Sequence, residues 1–347
     1  MTDRSRLLPE RHPAEDFFVC DVLDAVAKAD MASMEHPIFS LATRPDTRVR
    51  RYEQGDCFVE VTPSAKGLAT VHDRDVLIYC ISQVIAALND ARPVTRTLRL
   101  KAYDLLVATN RMTNGQAYDG LKAALERLRG TTISTNVKTG GTEQFDVFGL
   151  IERARVVRET REGRMQELEI VLSDWVFNAI EAREVLTLHR DYFRLRKPLE
   201  RRMYELARKH CGRQSEWSIG LAKLRDKCGS TSSMKEFRRL IGAIVEQDAA
   251  HGHIPDYAVT LGTMEGGADK VVFRNRRTMG ALPVSDDIPP LPSEAFEQAR
   301  AAAPGWDVYA IEREWRVWCA DKDVLPRAPV QHFVKFCATW SERRADT

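Results

Sequence analysis

The sequence predicts an α+β fold, mainly helical, in which one supersecondary pattern is used twice and followed by a small C-terminal helical appendix. Three observations carry that reading. Apolar residues recur at helical spacing in several segments after residue 58. Short β-branched and aromatic runs, separated by turn residues, follow each group of helices. Proline-rich stretches flank this central region on both sides. With 347 residues and 44% hydrophobic content, the chain has room for two or three packed cores.

Residues 1–57 read as a loop-rich segment broken by Pro9, Pro13, Pro37 and Pro45, with a short helix at Phe17–Lys28. The first unit spans 58–172. In "DRDVLIYCISQVIAALND", Val76, Ile78, Cys80, Ile81, Val84, Ile85 and Leu88 fall mostly on one face and predict a buried helix. "TRTLRL" follows as a short strand, "KAYDLLVATN" as a short helix and "MTNGQAYDGLKAALERLRG" as a third helix ending at Gly130. "TTISTNV", "EQFDVFGLIERARVVRET" and "MQELEIVLS" read as strands, with a hairpin turn at Glu162-Gly163.

The same order recurs over 173–280. "KPLERRMYELARKHCG" is a helix with Pro198 in its first turn and Gly212 at its end. "EWSI", "GLAKLRDKCG" and "GSTSSMKEFRRLIGAIVEQD" supply a strand and two helices, and "YAVTL" with "KVVFRNR" closes a hairpin across "EGGAD". Helix, strand, helix, helix, hairpin is the order of a winged helix, a helix-turn-helix with a β-ribbon appended. The prediction is therefore tandem winged-helix domains. A proline-rich linker over 281–293 and a helical segment over 294–347 complete the chain. There Tyr309, Ile311, Trp315 and Trp318 form one apolar stripe and Phe333, Phe336, Cys337 and Trp340 another, suited to docking on the body or a partner.

The net charge of +2 is unevenly spread. Residues 190–239 hold 15 basic against 6 acidic side chains, while both ends of the chain are acidic. A concentrated positive window of this kind attracts a polyanion, although a solvated helix face would look similar. Within it, Ser233 and Glu236 have the capping-box spacing, which fixes the helix start. Met234, Phe237, Leu240, Ile241, Ile244 and Val245 then share the inner side, opposite Ser232, Lys235, Arg239, Gly242 and Ala243.

A helix whose first turns carry cations, free N–H groups and the positive end of the macrodipole suits a phosphate backbone, and a recognition helix reads base edges with those same turns. Arg239 is the candidate for a bidentate contact to guanine, Lys235 and Arg238 for base or phosphate, and Ser232 and Ser233 for phosphate oxygens. On the hairpin, Lys270, Arg274 and Arg276 are expected to share the outer face as backbone contacts. In the first unit Asn114, Gln116, Tyr118 and Lys122 are the corresponding helix positions. Asp119 and Glu126 would repel phosphates there, so protein contact is an alternative use of that face. The arginine-rich strand, with Arg153, Arg155, Arg158, Arg161 and Arg164, is the better phosphate binder of this half.

Enzymatic readings find little support. No GxxxxGK[ST] loop is present, and no cofactor is implied. His251 and His253 flank a glycine beside Pro255, which suits a turn better than a metal pair. His210, Cys211 and Cys228 lack a fourth ligand at a useful spacing. Seven cysteines without a CxxC spacing suit reduced thiols in a cytoplasm. No secretory signal and no membrane-length apolar run are evident, so a soluble chain is expected.

Four segments resemble the replication initiator protein A group of plasmid replication initiators: "FFVCDVLDAVAKADMASMEHPIFSLATRPD" (17–46), "KGLATVHDRDVLIYCISQ" (66–83), "LKAALERLRGTTISTNV" (121–137) and "DYFRLRKPLERRMYELARKHCG" (191–212). The likeness runs over about 17–277, and "PGWDVYAIEREWRVW" (304–318) is similar to a tail seen in some such initiators. The resemblance implies a non-enzymatic binder of double-stranded origin DNA that recognises direct repeats (iterons) through both winged helices. It also implies strand opening at an AT-rich region and recruitment of the host initiator and replicative helicase. Relatives often bind repeats as monomers and use homodimers, formed through the first winged helix, for autorepression or for coupling origins. A transcriptional repressor without a replication role needs the same reading helix and is the competing class; a nuclease or relaxase is the third.

Overall fold

The fold comes from a computed structural model, which describes residues 7–11, 37–54, 57–89, 92–136, 138–139, 142–143, 145–158, 165–181, 188–211, 214–264, 266–276, 288–289, 291–304, 306, 308–322 and 324–345. The helix expected at Phe17–Lys28, the turn at Glu162-Gly163 and most of the 281–293 linker lie outside the described residues.

The first unit opens with an antiparallel hairpin of β1 (Arg50–Gln54) and β2 (Cys57–Thr62). Then come α1 (Arg74–Asn89), β3 (Thr97–Lys101), α2 (Ala102–Ala108) and α3 (Gly115–Gly130). Strands β4 (Thr132–Thr135), β5 (Lys138–Thr139), β6 (Thr142–Glu143), β7 (Asp146–Gly149), β8 (Ile151–Arg158) and β9 (Met165–Leu172) precede the short helix α4 (Asp174–Glu181).

A 3₁₀ turn at Arg190–Arg194 leads into the second unit: α5 (Pro198–Cys211), β10 (Glu216–Gly220), α6 (Leu221–Cys228), α7 (Met234–His251), β11 (Tyr257–Thr263) and β12 (Asp269–Asn275). The chain is thus a mixture of helices and small antiparallel sheets. The order helix, strand, helix, helix, hairpin occurs twice, and the pairing repeats as well. In both units the strand after the first helix pairs with the second arm of the hairpin, giving sheets β3-β9-β8 and β10-β12-β11.

One sheet was not foreseen. β1, β2, β4 and β7 form a four-stranded antiparallel sheet, so "TTIST" pairs with the N-terminal hairpin instead of the β-ribbon. The segment read as one strand from Glu143 to Thr160 is split between two sheets. The break falls at Gly149-Leu150: Leu150 is wholly buried, and a Cβ on Gly149 would stand 3.3 Å from the Ile151 carbonyl oxygen. The loop-rich expectation through residue 57 also misses β1, because "RRYEQ" is a charged edge strand with little alternation for a reader to detect.

The buried residues form three clusters. The first gathers α1, α2, α3 and the faces of both adjoining sheets around Leu77, Ile81, Leu121 and Ile170. The second lies around Tyr204, Phe237, Tyr257 and Phe273, and takes in Ile78 from α1 of the first unit. The third belongs to α8 (Ser293–Ala302), α9 (Val308–Asp321) and α10 (Pro329–Ala345). Here Ile311, Trp315, Phe333 and Cys337 are buried against one another and against Phe296 of α8. The aromatic stripes therefore make a core of their own, except for Trp318, which is exposed. α8 was missed because Phe296 is its single large apolar residue.

Candidate nucleic-acid interface

The second unit presents α7 from a sharp turn. α6 ends at Gly229 in the left-handed region (φ 68°), and a Cβ there would come within 2.5 Å of the Pro37 ring, so both conformation and space call for glycine. Ser233 caps α7: its Oγ accepts from the Glu236 N–H at 3.3 Å. The expected reciprocal half of the capping box is absent among the described residues. Glu236 instead accepts from Arg239 Nε and Nη2 at 2.9 and 2.7 Å, and this pairing holds the Glu236 carboxyl below its usual range.

Phe237, Ile241, Ile244 and Asp248 are buried, with Leu240 and Val245 partly so. Met234, expected inside, is exposed because it lies in the first turn, beyond the reach of the core. Ser233, Lys235, Arg238 and Arg239 are exposed, Ser232 is half-buried, and a side chain on Gly242 would meet open space. The helix therefore offers a cationic front edge followed by a low, uncluttered surface.

The β-ribbon joins this edge through Arg238, whose Nη1 lies 3.0 Å from Asp269 Oδ2 at the start of β12. Along β12, Val271 and Phe273 point into the core. Arg274 points outward and donates to Glu216 Oε2 at 2.8 Å, across from it on β10. Lys270 lies four residues before Arg274, on the same side of the strand. Arg276 does not share that face. It lies past the strand end and turns back to the buried Asp248, because an arginine there is the cation that neutralises this carboxylate.

In the first unit Asn114 caps α3, its Oδ1 accepting from Ala117 N–H at 3.1 Å, so its side chain is already engaged. Gln116 and Lys122 are exposed, along with Asp119, Glu126 and Arg129. Tyr118 packs against the first core and is half-buried. On the β3-β9-β8 sheet, Arg153 and Arg155 are exposed. Arg153 donates to Glu169 Oε1 at 2.7 Å, and Arg99 Nε lies 3.5 Å from the other oxygen of that carboxylate. The Arg158 side chain, Arg161 and Arg164 lie outside the described residues.

Arg99 and Lys101 were overlooked in the sequence. They extend the Arg153 and Arg155 face, and "TLRLK" announces them by alternating Leu98 and Leu100 inward with cations outward. Lys223 on α6, exposed next to α7 in the turn-helix pair, is a further omission.

The histidines separate: His251 is exposed at the end of α7, whereas His253 is buried with Nε2 3.2 Å from Glu200 Oε1. Gly252 between them is left-handed (φ 60°). Among the described residues no group of three or more His, Cys, Asp or Glu could hold a metal ion, and no helix is long and apolar enough to cross a membrane. Cys80, Cys211, Cys228, Cys319 and Cys337 are buried free thiols.

Two units of the same element order thus stand in tandem, and the second presents a cation-edged exposed helix beside a ribbon that carries Lys270 and Arg274. Comparison with known proteins then gives the family. The replication initiator protein A family matches residues 28–259. A relative from Wigglesworthia glossinidia brevipalpis, named "Putative replication protein", is 34% identical over 264 residues, covering 75% of this chain and 94% of the relative. The chain belongs to the replication initiator protein A family. In fold it is similar to a crystal structure of domains 2 and 3 of RctB, with a TM-score of 0.51 at 15% identity, over 72% of this chain and 98% of that one.

Proposed function

We propose that this initiator binds repeated sites in double-stranded origin DNA through two winged-helix domains, at 58–172 and 173–280, and acts without catalysing a reaction itself. The observation that carries the reading is the exposed front edge of α7. Lys235, Arg238 and Arg239 sit at the positive end of a capped helix, bonded through Arg238 to a ribbon that carries Lys270 and Arg274. Arg239 would contact a base edge, Lys235 and Arg238 a base or phosphate, Ser232 and Ser233 phosphate oxygens, and the ribbon cations the backbone.

The first unit would add backbone contacts from Arg99, Arg153 and Arg155, with Gln116 and Lys122 on its helix. Its mixed-charge α3 face, bearing Asp119 and Glu126, suits a second use in homodimer contact. Family membership supports origin opening and recruitment of the host initiator and helicase as the consequence of binding, in a bacterial cytoplasm. The test is establishment of a plasmid carrying this gene and its flanking DNA. Replication that is lost with Arg239→Ala supports the reading. A protein that retains specific binding to the flanking DNA without sustaining the plasmid would be a repressor.

A further inference from the structure

Beside the apolar contact of Ile78 with the second core, ion pairs join the start of α1 to α5 across the seam between the two units, and the neighbouring carboxylates also hold α3 and the α2–α3 turn. Asp73 holds Arg127 of α3 in a two-point bond, both contacts at 2.7 Å. Asp75 accepts from Arg201 of α5 at 2.7 Å and from Arg111, in the α2–α3 turn, at 3.2 Å. Arg74, between them, pairs with Glu205 of α5. Glu205 also accepts from the Tyr192 hydroxyl at 2.6 Å and from Arg202 at 3.2 Å, and Arg202 Nε donates to the Lys227 carbonyl in the last turn of α6. A continuous path of hydrogen-bonded charges thus runs from α3 through residues 73–75 to α5 and α6, the helix immediately before α7.

Arg201 is fixed further by donating to the carbonyls of Leu195 (2.9 Å) and Phe193 (3.0 Å), and it lies over the Tyr192 ring. Its side chain is 4% exposed and that of Asp75 1%. Buried ion pairs add little net stability over a well-packed apolar contact, because both charges are desolvated. They do demand one geometry, since a slip of about an ångström takes the 2.7 Å Arg201–Asp75 bond out of range, whereas a greasy surface would tolerate it. A duplex advances about 3.4 Å per base pair and turns once in about 10–10.5 base pairs, so two reading helices on one body need an offset held to less than one step.

We infer that the Asp73–Arg74–Asp75 turn is the gauge that fixes the spacing between the two DNA contacts. The inference rests on the proposed two-unit reading of DNA, and it assigns residues 73–75, Arg127 and Arg201 as positioning residues without contact to DNA.

The experiment uses full-length protein and gene-flanking DNA in which 0, 1, 2 or 5 base pairs are inserted between the two contacted segments. Wild-type protein should bind the 5-base-pair insertion at least 30-fold more weakly than the native spacing. Asp75→Asn/Arg201→Met removes both buried charges together, so neither is stranded. Once shown to be folded by its thermal melt, it should bind the native probe within about tenfold of wild type, with the spread across probes reduced to about fivefold or less. Arg127→Gln, at the partly exposed edge, should move the spread the same way and decides the matter if the double variant does not fold. General weakening would lower all four affinities in proportion and leave the spread intact. A folded variant that keeps the wild-type spread, or a wild type indifferent to spacing, overturns the gauge alone; a wild type that binds none of the probes overturns the two-unit reading beneath it.

Discussion

Arg276 Nη2 lies 2.8 Å from both carboxylate oxygens of Asp248, which is buried in the last turns of α7. The same carboxylate accepts from the N–H groups of Ile254 (2.7 Å) and Val259 (2.8 Å), so a single side chain binds the end of the candidate reading helix to both arms of the β-ribbon. Asp248→Asn places an amide N–H₂ against donors and strands a partly buried guanidinium. It should cost about 3–5 kcal/mol in denaturant melts. Arg276→Ala should likewise lower the melting temperature, whereas a residue that served only as a phosphate contact would leave the melt unchanged.

Ser233→Ala removes one of the helix caps. About 1 kcal/mol of stability should be lost, read as a lower denaturant midpoint with an unchanged slope. Ser233→Asp, which keeps an acceptor at the cap, should restore the midpoint.

The exposed arginines of the interface are each held by a surface carboxylate: Arg239 by Glu236, Arg238 by Asp269 and Arg274 by Glu216. A phosphate or base must displace those partners. Glu236→Gln and Glu216→Gln should therefore raise DNA affinity by a few fold, most visibly at low salt. Arg239→Ala should relax discrimination at one base pair by roughly tenfold to hundredfold, while Arg274→Ala weakens all sequences alike. With about six to ten phosphate contacts, log K against log salt should have a slope of about −5 to −9. A slope near zero would remove the electrostatic basis of the interface.

His72 lies at the seam, and burial, reinforced by the charges of Arg201 and Arg111, pushes its imidazole down to about 4. A free histidine titrates near 6.5. Protonation is therefore easier in the unfolded chain, and stability is full above pH 6.5 and falls as the pH drops toward 4. Between pH 6.5 and 5 the loss should be roughly 1.5 kcal/mol. His72→Asn should flatten that stretch. The carboxyls of Asp46 and Glu200, both held low, enter only in more acidic solution.

Much of the architecture was legible because helix periodicity and punctuation are local signals. The start of α7 could be placed at its cap, Ser233, and the twofold recurrence of one element order followed from similar cues. What escaped was set by partners distant in sequence. Nothing in "TTIST" or "RRYEQ" says that they pair through β2, and nothing local to Arg276 says that it must neutralise Asp248. The charges of "HDRD" were visible at the head of α1, but their meaning depends on Arg127 and Arg201, 54 and 126 residues further along the chain. In the interface, the exposure of Lys235 and Arg239 could be read from periodicity, whereas that of Met234 and the carboxylate partner of each arginine could not.

Footprinting of the purified protein on the DNA flanking its gene addresses the central claim most directly. Two reading units acting on one duplex predict protected direct repeats of about two helical turns each, with contacts from both units inside every repeat. Protection of a single turn that is unaffected by substitutions in the first unit would contradict it.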